Sequence, residues 1–185
     1  LIRERTREVL DSLPIGEEFN WVDKVSIELT TRMLATLFDF PFEDRAKLTR
    51  WSDVATAIPG MGIIEDEDQR RPQLLECLGV FTELWNERVK EEPKGDFISM
   101  LAHGSATQEM DPFEYLCNII LLIVGGNDTS RNSMTASVLC QNLFPDQFEK
   151  LKANPELIPS MVAETIRWQT PLAYMRRTAK EDTIL

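Results

Sequence analysis

Asn127, Asp128, Thr129 and Ser130 follow directly on eight apolar or glycine residues, Ile119 to Gly126, so a helix that reads as buried on every side acquires a carboxylate and a hydroxyl in mid-span. Burying such groups is unfavourable unless partners are supplied, and Gly125 and Gly126 each cost about 1 kcal/mol relative to Ala inside a helix. Residues placed against these penalties are candidates for chemistry. At about 100° per residue, Leu121, Gly125, Asp128, Thr129 and Asn132 share one face. Its N-terminal end is apolar, Gly125 leaves room for a flat or bulky group against the backbone, and Asp128 and Thr129 set a titratable proton source beside a hydroxyl donor. That face reads as a pocket wall. The bland alternative is a helix kinked at the glycine pair, with Thr129 bonding back to a carbonyl.

Downstream, Glu164 and Arg167 have the Glu-x-x-Arg spacing that puts both on one helical face, with the acid N-terminal as such pairs prefer. Pro145, Pro155, Pro159 and Pro171 punctuate the stretch between and after the two motifs. The segment Gly-Gly-Asn-Asp-Thr-Ser resembles the oxygen-activation motif of the cytochrome P-450 haem-thiolate monooxygenases, and the order of long helix, short helix, Glu-x-x-Arg helix and Pro-bearing loop is similar to theirs. Asp96-Phe-Ile-Ser-Met-Leu resembles the family's helix just before the long one, and Arg177-Thr-Ala-Lys-Glu-Asp its strand whose arginine pairs with a haem propionate. Within the family, Met33 to Arg45 and Leu122 to Thr129 look most like the soluble bacterial alkane hydroxylases that oxidise a terminal methyl group. The resemblance runs over all 185 residues, which correspond to less than half of a family member.

The resemblance implies roles residue by residue. Asp128 would feed protons to bound dioxygen through water or Asn132, and Thr129 would hydrogen-bond the distal oxygen. Gly125 and Gly126 would border the haem, and Arg177 would hold a propionate. Leu121, Val124, Leu172 and Ala173 would line the substrate side. Glu164 and Arg167, buried in the family, would help fix the loop that carries the axial cysteine. That loop has a Phe-x-x-Gly-x-x-x-Cys-x-Gly pattern, and none of Cys77, Cys117 or Cys140 has such surroundings. All three are expected to be buried, unpaired thiols. Residues 1–185 are accordingly expected to be an internal portion of a single domain, without its N-terminal part and haem-cysteine region. The implied activity is insertion of one oxygen atom of O2 into an unactivated C–H bond, with terminal hydroxylation of medium-chain alkanes or fatty acids in view. Haem would be the cofactor, and electrons would come from a ferredoxin and its reductase.

Composition excludes other classes. A net charge of -11 argues against a nucleic-acid partner, whose phosphates demand a basic face. The run Ile119 to Gly126 is far short of the ~20 apolar residues that span a bilayer. Three cysteines without paired spacing point to a reducing compartment, which the resemblance implies is the bacterial cytoplasm. His103 is the lone histidine, so neither a metal cluster nor a Ser-His-Asp triad can be assembled, and a helix-end residue capping carbonyls is expected there. A rival of another class is a non-enzymatic helical ligand-binding or interaction module, which offers no reason for Asp128 and Thr129 in mid-helix.

The elements that position these residues read as almost all helix. Apolar spacing predicts helices over residues 1–10, 21–38, after Pro41, 69–90, 96–103, 112–144, 145–153 and 156–169, with Asp111 as N-cap and Pro112 at the first position of the long one. A short strand is expected at the C-terminal end. Between them, Ala57-Ile-Pro-Gly-Met-Gly-Ile-Ile is predicted irregular, and so apolar a loop needs a substrate, lipid or neighbouring face to cover it; in the family the corresponding stretch resembles the lid over the substrate channel.

Overall fold

The computed structural model describes residues 1–174 and 176–184, and eight α-helices account for most of them. They are α1 (Ile2–Asp11), α2 (Glu28–Phe38), α3 (Ala46–Thr56), α4 (Glu67–Arg88), α5 (Phe97–His103), α6 (Pro112–Leu143), α7 (Pro145–Ala153) and α8 (Ile158–Gln169). The chain divides into two compact units, Leu1–Arg131 and Asn132–Leu185, and α6 contributes to both.

The first unit is built round Trp51, Phe38, Phe81, Leu34, Leu48, Ile98, Ile119 and Ile123, all at most 2% exposed. Phe81 sits at the centre, its ring meeting Phe38 edge-on at 5.2 Å and lying 5.6 Å from Phe40 and 6.0 Å from Trp51. Truncating such an aromatic to Ala costs roughly 3–5 kcal/mol. Helix starts follow capping chemistry. Asp66 accepts from the Gln69 amide at 3.0 Å, Asp96 from Ser99 at 2.8 Å, and Asp111 from Phe113 and Glu114 at 2.8 and 2.9 Å, with Pro112 opening α6 as predicted. Asp39, in the left-handed region at φ 49°, ends α2. Its carboxylate takes a 2.7 Å hydrogen bond from Arg88, which is 7% exposed. His103 caps a carbonyl, as expected, through Nε2 at 3.0 Å from the Arg88 oxygen at the end of α4.

The irregular stretch after α3 is held at its ends. Ile64 is buried and its carbonyl accepts from Gly60 at 2.8 Å, while Ile58, Met61 and Ile63 are 65, 73 and 54% exposed. Arg70, from the first turns of α4, donates to the Val54, Ala55 and Ala57 carbonyls at 2.6, 2.8 and 2.7 Å, satisfying oxygens that the end of α3 leaves without helical partners.

Three expectations are corrected. The helix expected over 21–38 opens as a π-helical segment, Val22–Ile27, before α2 begins. α6 is not buried on every side: Tyr115, Ile119, Ile123 and Asn127, four apart, are buried, whereas Phe113, Cys117, Leu121 and Gly125 at the same spacing are exposed. An apolar sequence could not separate these faces, because both carry hydrocarbon. Among the described residues there is no strand; 171–174 and 176–184 are irregular, and no second strand there offers a ladder partner.

In the second unit, Phe148 and Leu151 of α7 and Met161 and Trp168 of α8 line one groove, with the Phe144 and Trp168 rings edge-on at 6.2 Å. Among the described residues no helix is long and apolar enough to cross a membrane.

Candidate active site on the long helix

The exposed stripe of α6 runs Phe113, Cys117, Leu121, Gly125 and reaches half-buried Asp128 and Thr129. Leu121 is 67% exposed and Val124 half-buried beside it. The two glycines differ. A Cβ built on Gly125 would meet nothing within 4 Å, whereas one on Gly126 would come 2.8 Å from the Leu34 Cδ2 of α2. Gly125 thus leaves bare backbone on the stripe, and Gly126 allows α2 and α6 to approach closely.

Thr129 donates its hydroxyl to the Gly125 carbonyl at 2.9 Å, the back-bond of the bland alternative. The same hydroxyl remains on the stripe side, so the observation does not remove it from a site. Asp128 accepts a hydrogen bond from Arg131, whose same nitrogen reaches Asp53 of α3 at 3.1 Å. Burial disfavours the Arg131 charge, but hydrogen bonds and attraction from Asp128 and Asp53 outweigh it and raise the guanidinium above its ordinary value. The Arg131 guanidinium is thus shared by the two carboxylates. Arg131 and Asp53 escaped the sequence reading. The three-residue spacing of Asp128 and Arg131 was available as a signal; Asp53, 78 residues away, had none.

Asn127, wholly buried, faces α2 and accepts from Thr30 Oγ1 at 2.8 Å. Its neighbour Asn132 is half-buried and begins the second unit. There Glu164 and Arg167 pair through two hydrogen bonds of 2.7 Å, as their spacing predicts, which holds the carboxyl low and the guanidinium high. The pair is not buried as it is in the resembled family: the side chains are 59 and 69% exposed, since nothing among the described residues packs over α8 at that point. Leu172 and Ala173 are exposed. Arg177 is exposed as well, and donates to the Arg176 carbonyl at 2.8 Å. Of the thiols, Cys77 is buried, Cys140 half-buried and Cys117 exposed, which corrects the expectation for Cys117. It lies on the open stripe, where an apolar run gives no hint of which side faces the core.

No protein-family model matches the chain. Its fold is that of CYP153D17 from Sphingomonas sp. PAMC 26605, at 55% identity and a TM-score of 0.85, covering all of this chain and 46% of that one. Cytochrome P450-153 from Novosphingobium aromaticivorans is similar over the whole chain at 51% identity and a TM-score of 0.85, and 44% of it is covered. Among curated proteins, linalool 8-monooxygenase of Pseudomonas putida is 30% identical over 183 residues, which are 98% of this chain and 45% of that protein. The chain belongs to the cytochrome P450 family. It spans less than half the length of these relatives.

Proteins of this family use haem iron. The residues of α6 fit one side of such a flat group: bare backbone at Gly125, apolar Leu121 and Val124, and the Thr129 hydroxyl. None of the three thiols is placed to serve as a ligand to it: Cys77 is sealed in the core, Cys117 is exposed on the same helix well before Gly125, and Cys140 lines a groove of the second unit.

Proposed function

We propose that this chain is the helical middle of a haem-dependent monooxygenase that inserts one atom of O2 into an unactivated C–H bond, with a medium-chain alkane or fatty acid hydroxylated at its terminal carbon as the substrate reaction. The observation that carries the reading is the open stripe of α6, where bare backbone at Gly125 adjoins a hydroxyl and a carboxylate. Haem, when bound, supplies the activation of dioxygen, and the chain's residues tune it. Gly125 leaves bare backbone for the cofactor, Gly126 beside it lets α6 lie close to α2, Thr129 presents a hydroxyl, and Asp128 holds and passes a proton at its carboxylate, with Asn132 as a further relay group. Arg177 is assigned to a propionate, and Glu164 with Arg167 to bracing the cofactor's loop.

Leu121 and Val124 supply an apolar surface, which favours hydrocarbon over a charged ligand; Leu172 and Ala173, in the second unit, are exposed apolar side chains of the same kind. The terminal-alkane assignment also draws on the resemblance of Met33 to Arg45 and of Leu122 to Thr129 to the alkane hydroxylases. Electrons would arrive from a ferredoxin and its reductase in the bacterial cytoplasm. The non-enzymatic helical module gives no account of Asp128 beside Thr129, and the similar proteins named above do not favour it.

The test is incubation of the haem-loaded full-length protein with ferredoxin, reductase, octane and isotopically labelled dioxygen. The expected product is the primary alcohol carrying one labelled oxygen. Mainly subterminal product would overturn the terminal assignment, and unlabelled or absent product the monooxygenase reading.

A further inference from the structure

We propose that Asn127 is a positioning residue, whose buried amide bond to Thr30 fixes the rotation of α6 just after the glycine pair and thereby the aim of Asp128 and Thr129. The inference rests on the monooxygenase reading for what those two residues do. Its grounds are geometric. Asn127 continues the buried row Tyr115, Ile119, Ile123 at four-residue spacing, yet it is an amide where the row's pattern calls for a hydrocarbon. Its Nδ2 is buried without an acceptor among the described residues.

Thr30 cannot fully relieve this. Its Oγ1 lies 2.8 Å from Asn127 Oδ1, 3.0 Å from the Ser26 carbonyl and 3.1 Å from the Ile27 carbonyl, and it has one proton to share among the three. If the proton goes to Ser26, the amide must be turned to donate to Thr30, and its oxygen then loses the partner instead. In either arrangement half of a buried amide is unsatisfied, a penalty that a leucine would avoid. Stability alone does not select this residue.

What the amide adds is direction. Apolar contacts between α2 and α6 tolerate a small roll of either helix, whereas a hydrogen bond is lost when its atoms move apart. The place where roll matters is here: Gly125 and Gly126 weaken the helix immediately before, and Gly126 already seats against Leu34, one turn beyond Thr30 on α2. Asn127 lies roughly 160° round the helix from both Gly125 and Thr129. A bond on the buried side therefore sets which way the open side points.

The experiment is the paired substitution Asn127→Leu with Thr30→Val in the haem-loaded full-length protein, alongside Thr30→Val and Thr30→Ser alone. Removing both polar partners together leaves no orphaned group, so the melting temperature should equal or exceed the parent's. Product formed per reductant consumed should nevertheless fall at least threefold, peroxide should rise, and the C–O stretch of the ferrous carbon monoxide complex should broaden or shift. Thr30→Val alone should lower the same ratio, and Thr30→Ser, which keeps the hydroxyl, should restore it. Parental coupling and an unshifted stretch in the double variant would overturn the proposal. If that variant fails to take up haem, the single ones decide: equal coupling in Thr30→Val and Thr30→Ser overturns it equally. Failure of the parent itself to hydroxylate an alkane would refute the proposed function instead.

Discussion

Arg131 holds the carboxylate of Asp128 on its own helix and reaches across to Asp53 on α3 with the same guanidinium nitrogen. The arrangement ties α6 to α3 beside the residues proposed to handle protons. With the arginine 18% exposed and each acid 32% exposed, it lies between a surface pair and a buried one. Arg131→Met should lower the unfolding free energy by about 1–3 kcal/mol, because it removes the cation that the two carboxylates share, and Asp53→Asn by less than about 1 kcal/mol. The urea midpoint at unchanged slope measures both. Equal effects of the two substitutions would mean that the arginine does not act as a shared partner.

Thr129 should separate reductant use from product formation. Its hydroxyl now serves the Gly125 carbonyl, a bond that can be exchanged for one to an oxygen ligand on the same side. In the haem-loaded full-length protein, Thr129→Ala should bind substrate and consume reductant but release peroxide at the expense of alcohol. Peroxide per reductant is the quantity to follow; a parental ratio contradicts the assigned role.

The glycine pair makes a prediction of opposite signs. Gly125→Ala gains helix propensity of up to about 1 kcal/mol and meets no atom within 4 Å, so the cofactor-free protein should become more stable. Gly126→Ala gains the same propensity but drives a methyl to 2.8 Å from Leu34 Cδ2, so it should be the less stable of the two. Thermal melts of both variants check the order.

The three thiols should differ in reactivity. Burial pushes the Cys77 thiol up to about 12, with the neighbouring Glu76 charge adding to the effect, so it stays protonated at neutral pH and closed to reagents. Cys117 should be labelled first, Cys140 more slowly, and Cys77 only on unfolding. Timed alkylation followed by peptide mass analysis reads the sequence of events.

Acid should weaken the first unit through Glu28. Partial burial works against its charge, but hydrogen bonds and attraction from Arg32 and Arg45 prevail and hold its carboxyl below its ordinary value of 4.5. A group whose folded pKa is depressed contributes stability in full above the unfolded value and loses it as pH falls through the folded one. Stability of the parent should therefore decline more steeply below pH 4.5 than that of Glu28→Gln. Parallel acid limbs for the two proteins would show that the cluster adds nothing.

Helix positions were legible in the sequence because caps and punctuation are local. Asp111 with Pro112, Asp96 and the Pro145 start all fall where three or four neighbouring residues dictate. The stripe joining Leu121, Gly125 and Thr129 followed from helical geometry alone. What could not be read was contact across the chain: Thr30 opposite Asn127 is 97 residues away, and nothing near either announces the other. Sidedness failed for a related reason. Leu121 and Ile123 are both hydrocarbon, and only packing of α6 distinguishes the 67% exposed residue from the fully buried one.

Arg70 has a consequence for how this fold can diversify. By gripping three carbonyls at the end of α3 from the first turns of α4, it closes the base of the intervening stretch without help from the residues at its tip. Ile58, Met61 and Ile63 add little to core burial, so replacing or lengthening that tip perturbs stability little. That tip is an interchangeable cassette clipped to a fixed frame, a place where new preferences can be tried while the scaffold beneath is left alone.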